Sequence, residues 1–354
     1  MLPKGVLNAL LLRTLMVLLV LHLALRGSSA DLDSFEYLRW YSEISKLSSG
    51  QFFNELDGWY FNAIFPQSFE WGFALLAWTL GASGASEGIF LGVVAAISLG
   101  LKYRPLLRYC PSPFLGLLWY VSWYYILLEM NAVRAGIAAG FLLTAVAAML
   151  EKRWRRFFLC VFLASSFHTS ALIGLLFPFL LSERLGRKSL ITLLAVSIAV
   201  GYVSLGDIVG FSGNLIPKLT EYADLLTLFG VYEEINRFNA IALVRIALAL
   251  VLIWKLSTFA ERSTTLAVGI RAYVLCQAMY YAFASFPIVG SRISQLMGVL
   301  DVLVVPAIAV LLRPRLLWLP FYLLICAIQF YALSLHFQLA DFFYFVGEPR
   351  VVVP

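Results

Sequence analysis

Apolar stretches of about twenty residues recur along almost the whole chain, and they constrain its fold more than any other feature. A helix of that length is about 30 Å long, which matches the hydrocarbon thickness of a bilayer. Of the 354 residues, 62% are hydrophobic and 13% are charged, and a water-soluble core does not absorb so many long apolar segments. The sequence therefore predicts an all-α polytopic membrane protein of about 10–11 transmembrane helices, with residues 1–354 forming a single integral membrane domain.

Basic residues cluster in the short segments between the apolar stretches, whereas the segment after the first stretch is acidic. Short loops rich in Lys and Arg stay cytoplasmic. We therefore place the basic clusters and the N-terminus in the cytoplasm, and we assign the net charge of +6 to this loop asymmetry and not to nucleic-acid binding. The basic clusters are 102–108, 152–156, 184–188, 255–262 and 313–315.

The alternation of sides assigns the remaining segments. Residues 27–68 and 207–239 become external loops. Residues 69–81 are too short to cross and are expected to form a half-inserted helix on the outer side. The predicted spans outside the run 157–181 are 5–26, 87–101, 112–129, 132–150, 189–206, 240–257, 264–285, 291–312 and 316–337.

The apolar run 157–181 is flanked by basic clusters at both ends, so a single span would place every later cluster outside. Two short helices that turn near His168 keep all the clusters inside. From Phe157 to His168 a helix rises only about 17 Å, so the break would lie in the outer half of the membrane. Non-helical backbone at that depth requires a protein or water-filled surrounding. One long tilted span is the alternative.

His168 lies in this apolar run among the hydroxyls of Ser166, Thr169 and Ser170. A polar ring in such a run is costly unless it pairs or faces water. Because histidine exchanges protons near neutral pH, His168 is a candidate general base. A buried core histidine is the alternative.

Asn131 and Arg134 lie on one face at the outer start of a predicted span, and Gly136 with Gly140 permits close packing there. Arg134 either binds an anion or pairs with Glu129 across the turn. Arg292 heads another span at the same predicted depth. Two guanidinium groups suit a diphosphate, although an arginine at this depth can also serve as an interfacial anchor.

Further candidates lie in the acidic outer segment and directly after it. Glu70 opens the half-inserted helix, where the helix dipole stabilises a carboxylate; it is alternatively a group that accepts sugar hydroxyls or a proton. Asp33, Trp59 and Tyr60 are candidate glycan contacts, since aromatic faces cover sugar rings. For the two aromatic residues a membrane-interface belt is the alternative.

Several classes of enzyme lack support in the sequence. It contains no P-loop, no dinucleotide-binding glycine motif and no HExxH motif. Four cysteines have no metal-like spacing and are read as small core residues. Because no substantial cytoplasmic domain is predicted, we expect a lipid-linked or external substrate.

An ordered set of motifs resembles the EpsG-type branch of the Wzy polysaccharide polymerases. One departure is Ala135, where that family often has glutamine after the arginine. The motifs are Asn131-Ala132-Val133-Arg134, Phe167-His168-Thr169-Ser170-Ala171, the acidic and aromatic start 31–41, Glu70-Trp71-Gly72-Phe73, and Arg292-Ile293-Ser294 followed by Pro306.

The resemblance implies a bacterial inner-membrane glycosyltransferase of the C-type membrane fold that joins repeat units of O-antigen or a similar polysaccharide. Both substrates would be carried on undecaprenyl diphosphate, possible partners would include a chain-length regulator, and no cofactor or metal would be needed. We expect His168, or secondarily Glu70, to act as base, and Arg134, Arg292 and Asn131 to bind substrate diphosphate. A ligase and a lipid-linked oligosaccharide flippase are the alternatives.

The predicted turn near His168 can be tested by labelling. A single cysteine at position 185 in a variant without its native cysteines should react with a thiol reagent only after the inner membrane is permeabilised. Labelling from the periplasm would contradict the two-helix interpretation.

Overall fold

The computed structural model describes residues 4–25, 34–58, 70–202, 239–284 and 287–336. Within these ranges every regular element is helical, which confirms an all-α polytopic protein. Five of these helices are long and apolar enough to cross a membrane, or six if one bent pair is a single span. This number is below the predicted 10–11 because several predicted spans are short or broken helices.

The helices follow one another in the order of the predicted segments. Two stretches of 3₁₀-helix, Thr169–Leu181 and Val299–Leu303, and one π-helix, Tyr120–Asn131, interrupt the α-helices. The α-helices are α1 (Lys4–Leu25), α2 (Ser34–Ile44), α3 (Ser49–Gly58), α4 (Trp71–Ala82), α5 (Glu87–Tyr109), α6 (Pro113–Trp119), α7 (Val133–Leu150), α8 (Trp154–Phe167), α9 (Arg187–Val200), α10 (Ala240–Trp254), α11 (Leu256–Arg262), α12 (Thr264–Ala282), α13 (Pro287–Gly298), α14 (Val305–Leu311) and α15 (Arg315–His336).

The described residues up to Leu175 and from Val305 onward form one compact unit. Helix α7 lies at its centre and packs against α5 and α8. A Cβ at Gly140 would lie 3.0 Å from the Ser98 carbonyl oxygen on α5. The glycines of α7 therefore bring two helix backbones close together, as the GxxxG spacing predicts.

Two short helices occupy part of the segment predicted as the external loop 27–68. Helix α2 packs Trp40 against Phe73 of α4, with ring centroids 5.6 Å apart. Helix α3 packs Phe52 against Trp78 of α4 at 4.6 Å. With 12 residues, α4 rises only about 18 Å, so it is too short to span, as predicted.

The run 157–181 is broken at His168. Helix α8 ends at Phe167, and His168 has extended backbone with φ −158° and ψ 112°. A Cβ at Gly174 would lie 3.2 Å from Cγ2 of Val161, a contact that a continuous helix of this length cannot make. The chain therefore folds back near His168, and the single-span alternative is wrong.

Two arginines from basic clusters that were predicted to lie on the same side of the membrane contact one carboxylate. At the end of α5, Arg108 donates to Glu151 at 2.5 Å, and Arg153 lies 3.1 Å from the same carboxylate, directly after α7. Lys102 departs from the prediction, which places it in the cytoplasmic basic cluster 102–108. It lies inside α5 with its side chain 0% exposed, since it pairs with Glu129 at 2.8 Å.

The described residues from Leu176 to Val304 form a second compact unit. Helix α12 is its central element and packs against α9, α10, α11 and α13. Arg271 on α12 donates to the carbonyl oxygens of Leu180, at 2.8 Å, and Leu185, at 3.1 Å. It thereby satisfies backbone groups at and after the end of the first 3₁₀-helix.

The predicted external loop 207–239 lies outside the described residues apart from its last member. Asn239 is the N-cap of α10, where its side chain accepts the backbone N–H of Ala242 at 2.9 Å. Asparagine is among the preferred residues at this position.

Gly72 permits a close approach of α4 to α8. A Cβ at Gly72 would lie 2.5 Å from Ser166 Oγ and 2.8 Å from its carbonyl oxygen. We expect Gly72→Ala to lower stability by about 1–3 kcal/mol, the usual range for overpacking, as measured by thermal unfolding in detergent.

Gly100 on α5 is the matched control, since a Cβ there would meet nothing within 4 Å. Gly100→Ala should stabilise the protein by about 0.5–1 kcal/mol through the backbone entropy of the unfolded chain. If Gly72→Ala were as stable as Gly100→Ala, the close contact of α4 with α8 would be contradicted.

Candidate active site at the Glu70 carboxylate

Glu70 immediately precedes α4, and its side chain does not cap that helix. Its carboxylate instead accepts hydrogen bonds from two other segments. Arg134, in the first turn of α7, donates from Nη1 to Oε2, and the backbone N–H of Thr169 donates to Oε1 at 3.0 Å. His168 Nδ1 lies 3.2 Å from the same Oε1. Three residues predicted from separate motifs therefore meet around one carboxylate.

The break after α8 explains how the backbone takes part. The His168 N–H still closes the end of α8 by donating to the Ala164 carbonyl oxygen at 3.0 Å. Thr169 begins the 3₁₀-helix, and the first N–H groups of a helix have no partner within it. Glu70 accepts this orphan donor in a charge-assisted bond, which is stronger than a neutral one.

The cluster is largely shielded but remains open to water. The exposed fractions of the side chains are 15% for Glu70, 20% for Arg134 and 10% for His168. Burial raises the pKa of the Glu70 carboxyl, but His168, the Arg134 guanidinium and the Thr169 N–H together lower the pKa to about 2. Glu70 therefore stays ionised at neutral pH and is a poor proton acceptor.

His168 has unused hydrogen-bonding capacity. Within the described part of the chain, neither ring nitrogen has a hydrogen-bond partner, since Nδ1 lies 3.2 Å from Glu70 Oε1 without hydrogen-bond alignment. A buried polar atom without a partner costs free energy. A hydroxyl that donates to Nε2 would remove this cost, but Nε2 is itself buried, so the ring or its neighbours must move before a substrate hydroxyl can reach it.

Tyr37 of α2 is a member of the cluster that was not singled out from the sequence. Its hydroxyl oxygen accepts from Arg134 Nε at 3.4 Å. The guanidinium carbon lies 5.9 Å from the centroid of its ring, within cation–π range. The motif 31–41 contained this tyrosine, but nothing in the local pattern distinguished it from the neighbouring aromatic residues. We refer to Glu70, Arg134, His168, Tyr37 and the Thr169 N–H as the Glu70 cluster.

Asn131 and Glu129 make contacts other than those considered from the sequence. The side-chain amide of Asn131 donates to the Ile126 carbonyl oxygen at 2.9 Å, so this donor holds the end of the π-helix. Glu129 pairs with Lys102. The alternative that Arg134 pairs with Glu129 is therefore wrong.

The remaining predicted site residues belong to the second unit or to segments outside the described residues. Arg292 is on α13 in the second unit, and its side chain is exposed. Asp33, Trp59 and Tyr60 lie outside the described residues, so their roles stay predictions. Within the described ranges, no group of three or more His, Cys, Asp or Glu side chains could hold a metal ion.

Comparison with known proteins places the chain in a family. No curated protein and no solved structure matches it. The sequence model of the EpsG family, however, matches residues 9–344, which is nearly the whole chain. This multi-pass membrane protein therefore belongs to the EpsG family, a family of Wzy-type polysaccharide polymerases.

Proposed function

We propose that this protein is a bacterial inner-membrane polymerase that joins oligosaccharide repeat units carried on undecaprenyl diphosphate, such as those of O-antigen, at the outer leaflet. The observation that carries the proposal is the convergence of Glu70, Arg134 and His168 in one cluster. A base and a guanidinium suit glycosyl transfer from a lipid diphosphate, in which the acceptor hydroxyl loses a proton and the leaving group develops negative charge.

The position of the cluster supports a reaction at the outer face. Arg134 lies in the first turn of α7, whereas Arg108, Glu151 and Arg153 meet at the opposite end of that helix. With 18 residues, α7 separates the two ends by about 27 Å, close to the thickness of the hydrocarbon core. If the basic end is cytoplasmic, as the positive-inside rule predicts, the cluster faces the periplasm and the N-terminus is cytoplasmic.

His168 is the proposed general base. The acceptor hydroxyl gives its proton to Nε2 while its oxygen forms a bond to the anomeric carbon of the donor chain. The bond from that carbon to the lipid diphosphate breaks, and the diphosphate leaves with the electron pair. A positioned base of this kind contributes roughly 10²–10⁴-fold in rate.

Glu70 is proposed to support His168 and not to accept the proton itself. Its ionised carboxylate lies 3.2 Å from Nδ1, where it can orient the ring and stabilise the imidazolium that forms on proton uptake. The carboxylate of a Ser-His-Asp triad has a comparable role, but it accepts a hydrogen bond from Nδ1, which the 3.2 Å contact here does not provide.

Arg134 is the proposed cation for the leaving diphosphate. A preorganised donor in a shielded site stabilises developing negative charge by roughly 3–4 kcal/mol. When His168 takes up the proton, the Glu70 cluster gains a positive charge as the diphosphate leaves, which adds to this effect. Arg292 and Asn131 are retained as proposed phosphate contacts, and Asp33, Trp59 and Tyr60 as proposed glycan contacts.

Deletion of the gene, followed by complementation, tests the function. The polysaccharide ladder of the deletion strain should collapse to a single repeat unit on lipid-A core, and loss of every rung would instead indicate a flippase or a ligase.

A His168→Ala variant that is inserted normally should fail to restore long chains, because the acceptor proton has no base.

His22→Ala is the matched control for the base. His22 hydrogen-bonds Tyr125 at 2.7 Å, and neither residue is a member of the Glu70 cluster, so the variant should restore the ladder. Long chains made by His168→Ala would refute the assignment of the base while leaving the polymerase proposal in place.

Arg134→Lys should shorten the chains and lower the rate of polymerisation at least tenfold. A lysine ammonium is a point charge and cannot reproduce the planar fork that contacts both Glu70 and Tyr37. Arg39→Lys on α2 is the control, since Arg39 forms an exposed pair with Glu36, and such pairs contribute little. Equal activity of the two lysine variants would show that only charge matters at position 134.

A further inference from the structure

A second ion pair lies deeper in the first unit. The side chains of Lys102 and Glu129 are 0% and 1% exposed, and Nζ lies 2.8 Å from Oε1. Charges inside a membrane protein are expensive, and replacing a buried pair by apolar residues is often neutral or stabilising. Stability alone therefore gives no reason for this pair, and its geometry indicates another role.

The pair joins three helical elements. Lys102 Nζ also donates to Ser98 Oγ, at 2.5 Å, and to the Gly136 carbonyl oxygen of α7, at 2.7 Å. Glu129 Oε1 accepts from the hydroxyls of Ser98, at 2.8 Å, and Tyr120, at 2.5 Å. One contiguous network thus connects α5, the π-helix and the first turn of α7.

The contacts of Lys102 lie on both sides of a break in the backbone. Ala132 separates the π-helix from α7, with φ −89° and ψ 62°. Glu129 precedes this residue, Gly136 follows it, and Lys102 binds both. Arg134 lies between these two contacts, so the network sets the direction in which α7 starts and in which Arg134 projects.

The loose winding of the π-helix allows the network to form. Tyr120 and Glu129 are nine residues apart, which is 2.5 turns of an α-helix and would place them on opposite faces. A π-helix has roughly 4.4 residues per turn, so nine residues make about two turns. Both side chains then face α5, and the Ala132 N–H closes the π-helix on Leu127 O at 2.9 Å.

We propose that the buried Lys102–Glu129 pair is a positioning pair, which holds the break at Ala132 so that Arg134 is directed at Glu70. Its effect on catalysis rests on the proposed function, whereas its effect on the start of α7 does not. Neither side chain is exposed enough to contact substrate, so the pair acts through Arg134.

The test is a variant that removes both charges and keeps the volume, Lys102→Met/Glu129→Gln. The glutamine oxygen still accepts from Tyr120 and Ser98, but methionine cannot donate to Gly136. We expect thermal stability in detergent close to that of the native protein, at least tenfold less polymerisation in the ladder assay, and faster amide hydrogen exchange in residues 132–137. The exchange reports the Gly136 N–H, which bonds the Ala132 carbonyl oxygen at 3.0 Å.

Arg108→Met/Glu151→Gln is the matched control. It removes a pair of the same kind between α5 and the end of α7, but the Arg108 side chain is 68% exposed. We expect native polymerisation and native exchange at 132–137. A stable Lys102→Met/Glu129→Gln variant with native activity and exchange would overturn the proposal and leave the pair with a structural role.

If the double variant does not fold, Tyr120→Phe removes a single hydroxyl from the network and should still raise exchange at 132–137; unchanged exchange would overturn the proposal. If the native protein makes no polymer, the proposed function fails. The exchange measurement then tests positioning by itself.

Discussion

A charge in apolar surroundings needs a partner of opposite charge or several hydrogen bonds, and the first unit meets this requirement at two carboxylates. The Glu70 carboxylate contacts Arg134, His168 and a backbone N–H. The Glu129 carboxylate contacts Lys102 and two hydroxyl groups. Because Arg134 begins the helix that follows Glu129, both networks act on the same turn of α7. The packing of this helix and the geometry of the candidate site therefore depend on each other.

The two networks differ in their access to solvent, and this difference separates their roles. The side chains around Glu70 keep some exposure, so they can meet a substrate, whereas Lys102 and Glu129 are closed off. Each network also lies at an interruption of regular helix, at His168 and at Ala132. An interruption frees backbone donors or redirects a side chain, and irregular backbone at membrane depth is tolerated where protein surrounds it.

Much of the fold could be predicted from the sequence because the relevant signals are local. The length of an apolar stretch limits the length of its helix, and α1, α7 and α15 begin and end within two residues of the predicted bounds. The turn near His168 followed from the basic residues at both ends of its run. Of the candidate site, Glu70, Arg134 and His168 were singled out as polar residues of ordered motifs, and the structure brings them together, while their roles stay predictions.

The partners of these residues could not be predicted, because a partner is chosen by contacts between distant parts of the chain. The sequence places Lys102 among loop charges because it stands beside Tyr103 and Arg104. Only the packing of α5 against α7 buries it beside Glu129. Tyr37 was missed for the same reason. The sequence by itself determined the membrane class, the order of the helices and the residue types available for chemistry. Tertiary structure decided which charges pair, since pairing depends on the distance between side chains that local composition does not encode.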